Sequence, residues 1–356
     1  MKRAVAIGFL LGQILAANSL SQDANPQIDS STRETVIEAV LRILAENYAF
    51  PDMAQQMVIS IRNHQQRKDY DTITDGIQFA EKLTIDLQQV NHDRHIRVRF
   101  SARSLRETEG GRRSAEEQER TGMVLRKTNF GFEEVQRLPG NIGYLDLREF
   151  GPAALCVDTA AAAMNFLAST DALIIDLRQN MGGDPNMVAL LASYLFENKP
   201  VHLNDLHWRA GDRVQESWTQ SAVAGRRYGS VKQVYVLTSH QTFSASEEFA
   251  YDLQALKRAK IIGENTGGGA NPGENRRVAE HFSIFVPTGR AINPTTRTNW
   301  EGVGVKPDLE VSAEKALKVA HLAAMKKVVE SISDEQLRNA ILRQIERVQK
   351  ELDDSH

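Results

Sequence analysis

The feature that most restricts how this 356-residue chain can fold is a repeated unit, a short apolar run that ends in a polar turn and reopens as a helix. Residues 172 to 177, Ala-Leu-Ile-Ile-Asp-Leu, pass through a turn containing Asn180, Gly182, Gly183 and Asp184 into a helical pattern. Residues 234 to 237, Val-Tyr-Val-Leu, pass through a turn containing Ser244 into another, and residues 261 to 263 form a third short strand. Repeated strand, turn and helix define an α/β core, a sheet covered by helices. With 41% hydrophobic and 25% charged residues the chain has the composition of a soluble globular protein, which excludes disorder or coiled coil as a global description.

Ahead of this core the texture is helical. Val36, Val40, Ile43 and Leu44 recur at helical spacing behind Ser/Thr candidates for a cap, a second helix opens after Pro51 and runs to about His64, and a third covers about Thr74 to Val90. A strand begins near His95. Ser104 to Thr121 is rich in Arg, Glu and Gly and reads as a mobile surface loop. Short strands are predicted over Met123 to Lys127, Phe130 to Gln136 and Ile142 to Arg148, and a longer one over Val278 to Val286. An alanine-rich helix covers about Ala153 to Leu167, and two amphipathic helices close the chain, about Ala313 to Ile332 and Asp334 to Leu352. The expected divisions are a leader (1–21), a small N-terminal helical domain (22–92), a junction strand and loop (93–122), the α/β core (123–330) and a C-terminal helix (331–356).

Lys2 and Arg3 precede an apolar run from Ala4 to Ala17 and small residues up to Ser21, the layout of a secretory signal peptide, so a secreted or periplasmic location is expected. The run is too short for a stable membrane span, which needs roughly 20 apolar residues. Forty-three basic residues against forty-six acidic give no electrostatic reason to expect nucleic acid. Cys156 is the only cysteine, so an internal disulfide is impossible, and the thiol reads as a small core residue. No zinc-type Cys and His spacing and no phosphate-cradling glycine loop is found, so no cofactor or metal is expected.

Ser244 admits two readings. Serine is a favoured N-cap, and Glu247 three residues on completes a capping box. A serine at a strand-to-helix corner is also exposed for nucleophilic attack, beside helix amides that point at a developing oxyanion. Such a serine needs a base. His92 and His95, two of nine histidines, lie where helical texture gives way to strand, and a junction is where a cleft forms. The turn at Gly182 and Gly183 is either a plain turn or a set of amides open to a ligand. Glu301, in the loop Asn299-Trp300-Glu301-Gly302-Val303-Gly304, is a carboxylate among apolar neighbours that needs a partner when buried.

Five segments in this order resemble the tail-specific, or C-terminal-processing, serine peptidases, and most closely the branch of the tricorn core and the interphotoreceptor retinoid-binding protein. They are Asp93-Arg94-His95, residues 175 to 183 (Ile-Asp-Leu-Arg-Gln-Asn-Met-Gly-Gly), residues 242 to 249 (Thr-Phe-Ser-Ala-Ser-Glu-Glu-Phe), residues 267 to 273 (Gly-Gly-Gly-Ala-Asn-Pro-Gly), and the loop from Asn299 to Asp308. The resemblance implies a crotonase-like ββα core and an exported serine peptidase acting on peptides or unfolded protein tails. It implies Ser244 as nucleophile, His95 as general base, Glu301 as the acid supporting that base, the amides of Gly183 and Ala245, with Gly182, as the oxyanion hole, and Ser246 as a bystander.

The chain departs from other members in two places. A Ser/Lys dyad would put lysine at position 269, which is Gly269, so the Ser/His version applies. The tricorn pattern has serine before the histidine where this chain has Arg94. The stretch between Phe100 and Phe130 is too short for a PDZ module, so substrate capture falls to the cleft. Because relatives in the retinoid-binding branch keep this fold without proteolysis, a hydrophobic-ligand binding protein, for a retinoid or lipid, is the alternative reading.

Overall fold

The computed structural model describes residues 27–105 and 115–354. The expected leader and the middle of the expected loop lie outside them. The fold is mixed α/β with a helical N-terminal region.

Three helices come first: α1 (Ser30–Asn47), α2 (Pro51–Gln66) and α3 (Gly76–Asn91). The cap of α1 is Asp29, one residue before the expected Ser/Thr, its carboxylate accepting from Thr32 N at 2.7 Å. Strand β1 (Arg97–Phe100) follows, then α4 (Ala115–Lys127), β2 (Phe132–Leu138), β3 (Ile142–Leu147), α5 (Ala153–Leu167), β4 (Ala172–Asp176) and α6 (Pro185–Ser193). Next are β5 (His202–Trp208), β6 (Arg213–Trp218), β7 (Gln233–Thr238), α7 (Ala245–Ala255), β8 (Lys260–Gly263), β9 (Gly273–Ala279), β10 (Phe282–Pro287), β11 (Gly289–Ile292) and β12 (Leu309–Glu310). Helices α8 (Ala313–Val329) and α9 (Glu335–Asp353) end the described chain.

The central sheet has six strands in the order β12-β8-β7-β4-β3-β2, with only β2 antiparallel to its neighbour. Both faces are covered, which is why β3 and β4 are buried without alternation and, apart from Asp146 and Asp176, apolar. Leu173, Ile175 and Val236 face α5, α6 and α7, whereas Ala172, Ile174 and Tyr235 face Ala316, Ala320 and Met325 of α8. Cys156 sits in the first of these cores, and burial pushes its thiol up to about 11.

A second, antiparallel sheet, β1-β10-β9, carries the N-terminal helices. Val98, Ile284 and Val286 bury one face against Val40, Leu44, Leu83 and Leu87. Strands β5, β6 and β11 make a third small sheet.

Two predicted strands differ. Met123 to Lys127 is the end of α4, whose Glu, Gln, Arg and Lys content favours helix; Leu125 alone of that run is buried. The second half of the expected loop is thus helical. Val278 to Val286 is a hairpin, reversing at Glu280 and His281. That turn carries no Gly or Asn, and its carbonyls are held from outside, by Ser101 N at 2.8 Å and Leu105 N at 2.6 Å. β5, β6 and β11 were not foreseen, because β6 is exposed along nearly its whole length and has no apolar alternation.

Candidate active site

Ser244 stands at the sharp corner between β7 and α7 with φ of 57° and ψ of −125°, a conformation costly for any residue with a Cβ. What holds it is the buried Glu247. Its carboxylate accepts Ser244 N at 2.8 Å, Gly268 N at 2.7 Å and Gly269 N at 2.8 Å, together with the Thr266 hydroxyl. The capping glutamate of the sequence reading therefore ties the serine corner to the glycine loop at 267–269.

His95 comes from the opposite side of the molecule. The backbone of α3 ends in the left-handed region at His92 (φ 60°), turns through Asp93 and enters β1 just past His95. His92 is an exposed cap and does not reach the site. The His95 Nε2 atom is 3.0 Å from Ser244 Oγ, across 149 residues of sequence. The imidazole is packed between the rings of Phe243, with centroids 4.6 Å apart, and Phe285, at 5.8 Å. Its pKa is lowered, chiefly by burial, with the nearby guanidinium groups of Arg97 and Arg94 adding to the effect and Asp93 opposing it. A lowered pKa keeps the ring neutral, as a base must be.

The turn at 180–184 is clamped between β3 and the serine corner. Asn180 donates its side-chain amide to Leu147 O at 2.9 Å, and its carbonyl accepts from Phe243 N at 3.1 Å and Ser246 Oγ at 2.8 Å. Ser246 is therefore a tie between two turns and more than a bystander. Gly182 has its N–H donated to Asn180 Oδ1 at 2.8 Å, which removes it from the expected oxyanion donors. The amides of Gly183 and Ala245 have no partner among the described residues and are open to a ligand. Both glycines are required by close approach. A Cβ on Gly182 would lie 2.8 Å from Ser244 Cβ, and one on Gly183 would lie 2.0 Å from Phe150 O.

Glu301 is not at the imidazole. Its Oε2 accepts Ala270 N at 2.6 Å, and no hydrogen bond joins it to His95. Burial, and then the charge of Asp93, push its pKa up to about 8, while the backbone amides of Ala270 and Asn271 oppose the shift. The carboxylate beside the ring is Asp93, whose Oδ1 is 3.8 Å from His95 Nδ1 and accepts His95 N at 3.0 Å. Its Oδ2 accepts Tyr48 OH at 2.9 Å and Asn271 Nδ2 at 3.3 Å. The expected contact of Glu301 with the base is not made: its carboxyl is bonded to the backbone of the glycine loop, and the carboxylate beside the ring is Asp93. Asp93 was quoted in the sequence without a role; its position two residues before a histidine was the available signal.

Ser244, His95, Gly183, Ala245 and Trp300 line one cleft of about 640 Å³. A serine hydroxyl on a neutral imidazole, facing two free amides, is the arrangement that acyl transfer requires.

Comparison with known proteins agrees with this geometry. The sequence model of peptidase family S41 matches residues 141–311, and the model described as the N-terminal domain of Peptidase_S41 in eukaryotic IRBP matches residues 30–138. The chain belongs to peptidase family S41. A tail-specific protease of Haemophilus influenzae is 33% identical over 99 residues, 28% of this chain and 13% of that protein. A chloroplastic carboxyl-terminal-processing peptidase 2 of Arabidopsis thaliana is 28% identical over 178 residues, 48% of this chain and 33% of that protein. The matches thus span no more than a third of the length of either relative. A candidate peptidase from Parabacteroides merdae superposes with a TM-score of 0.58 at 18% identity, over 85% of this chain and 99% of that one. A lipoprotein from Streptococcus agalactiae superposes at 0.56 and 16% identity, over 83% and 96%. These two establish the shared fold.

Proposed function

We propose that this chain is a serine peptidase that cleaves peptides or unfolded protein tails through an acyl-enzyme on Ser244. The observation that carries the reading is the 3.0 Å approach of His95 Nε2 to Ser244 Oγ at a strained corner flanked by two free amides. His95 takes the hydroxyl proton as Oγ attacks the scissile carbonyl, and the amides of Gly183 and Ala245 receive the oxyanion. The imidazolium then gives its proton to the leaving amine, and water repeats the sequence to release the acyl group. Asp93 stabilises the imidazolium, and Glu301 buttresses the loop at 270–271. Residues 2–21 support export, and the names of the two relatives support action on carboxyl-terminal segments.

A fluorophosphonate probe tests the reading. The wild-type chain is expected to label, Ser244→Ala not at all, and His95→Ala at least roughly 100-fold more slowly. Labelling that persists in Ser244→Ala, or a wild type that never labels, rejects it.

A further inference from the structure

The two oxygens of Asp93 are held by different parts of the chain. Oδ1 lies beside the imidazole and accepts His95 N, whereas Oδ2 takes the Tyr48 hydroxyl at 2.9 Å and Asn271 Nδ2 at 3.3 Å. Tyr48 is the residue that ends α1, and it is buried. The N-terminal helices thus reach the carboxylate that supports the base. Chemistry fixes the direction of each bond in this chain. Asn91 donates Nδ2 to the Tyr48 oxygen at 2.5 Å, and its Oδ1 accepts Asp93 N at 3.2 Å. An amide nitrogen only donates and an ionised carboxylate only accepts, so the phenolic proton is left to point at Asp93. Burial, and then the charge of Asp93, hold that proton on the hydroxyl well above the usual range of a phenol.

The hydroxyl itself is anchored from several elements. The Tyr48 carbonyl accepts Arg209 Nη1 at 2.8 Å, just past β5, and its ring meets Phe50 edge-on with centroids 5.8 Å apart. The next residue, Ala49, donates its N–H to Pro287 O at the end of β10, at 2.9 Å. A second carboxyl, Glu301, acts by its charge on both Tyr48 and Asp93. Buried carboxyls that feel each other compete for one negative charge, and nearby donors decide where it rests. The side-chain donors Tyr48 and Asn271 both go to Asp93, while Glu301 takes the Ala270 amide. We infer that Tyr48 is a positioning residue for catalysis: by donating to Oδ2 it aims the other oxygen of Asp93 at His95 and keeps the negative charge where it stabilises the imidazolium. The inference rests on the proposed peptidase reading. Tyr48 lies outside the lining of the cleft, so its route to the chemistry is through Asp93.

Saturation kinetics of fluorophosphonate labelling, run on the full chain with circular dichroism as the check on folding, test this role. Tyr48→Phe removes one oxygen and keeps the ring. Its limiting labelling rate is expected to fall roughly tenfold, the scale of one hydrogen bond to a charged group, with the half-saturating probe concentration unchanged. In the Asp93→Asn background the same substitution is expected to change the rate by less than about twofold, because the route to the imidazole is already cut. A residue that only holds the fold together would give the same loss in both backgrounds. Asn91→Ala frees the hydroxyl from the donor that sets its direction, and a smaller loss of about threefold is expected, again absent in Asp93→Asn; it decides the question if Tyr48→Phe does not fold. Equal losses in the two backgrounds, a loss confined to the half-saturating concentration, or a Tyr48→Phe rate within about twofold of wild type overturns the role. A wild type that never labels removes the peptidase reading and this role together, whereas a wild type that labels with additive Tyr48 losses removes the role alone.

Discussion

Replacing Asp93 by Asn separates the two carboxyls that have a claim on the imidazole. Asp93 Oδ1 is 3.8 Å from His95 Nδ1, and Asp93 is 2% exposed. A unit charge pair at that separation, with an effective dielectric near 20, is worth about 4 kcal/mol to the imidazolium formed as Ser244 attacks. Losing all of it would slow acylation about 1000-fold. Part of the loss is recovered, because Glu301 owes some of its raised pKa to Asp93 and ionises more readily once that charge is gone. The expectation is a fall of about 100-fold in the fluorophosphonate rate constant for Asp93→Asn, and a fall approaching 1000-fold for Asp93→Asn/Glu301→Gln. The same assay run against pH supplies an independent readout. His95 is already depressed below its ordinary 6.5 by burial and is raised by Asp93, so the acid limb of the rate profile moves to still lower pH in Asp93→Asn. The reasoning is refuted if Asp93→Asn labels within about threefold of wild type while Glu301→Gln alone falls 100-fold, since Glu301 would then be the residue supporting the base.

Three further outcomes follow from the same geometry. Gly183→Ala drives a methyl to within 2.0 Å of Phe150 O and displaces an oxyanion amide, so labelling is expected to drop about 100-fold to 1000-fold at temperatures where circular dichroism shows the variant folded; a rate close to wild type removes that amide from the mechanism. Ser246→Ala unties the 180 turn from the serine corner at a cost of about 1 kcal/mol in thermal unfolding while keeping more than a tenth of the labelling rate, and complete loss would mark Ser246 as the nucleophile. Glu301 holds a proton up to about pH 8 when folded but only to its ordinary 4.5 when unfolded, so folding takes up a proton across that window and stability falls as pH rises through it. Glu301→Gln is neutral in both states, and its melting temperature is expected to vary less than that of wild type between pH 5 and 8; parallel curves would show that another group takes up the proton.

The parts of this molecule that local pattern writes into sequence were legible. The buried parallel strand at 172–176 is apolar up to its last residue, Asp176, prolines open α2 and α6, and the serine corner carries its own strand-to-helix signature. The site was legible as segments whose order matched a family, and the pairing of His95 with Ser244 followed from that resemblance rather than from any local rule. What escaped was set by contacts distant in sequence. The end of Val278 to Val286 reverses because Ser101 and Leu105 hold its turn, and β6 exists because β5 pairs with it. The role of Glu301 was misread because apolar neighbours say that a carboxylate needs a partner without saying which; Ala270 N supplies it. Gly182 and Gly183 look alike in sequence, and only the amide taken by Asn180 tells them apart.

The antiparallel pairing of β1 with β10 has a consequence for how the protein is made. His95 is positioned just before β1, whose one partner strand among the described residues is nearly two hundred residues later in the chain, with Arg97 opposite Phe285. Ser244 precedes that partner, so a ribosome has already released the nucleophile while the strand that fixes His95 is still unmade. A nascent chain halted between residues 245 and 281 has the serine, the amides and the histidine but lacks β10, the strand that pairs with β1. The order of synthesis thus delays the approach of His95 to Ser244 until most of the chain is present.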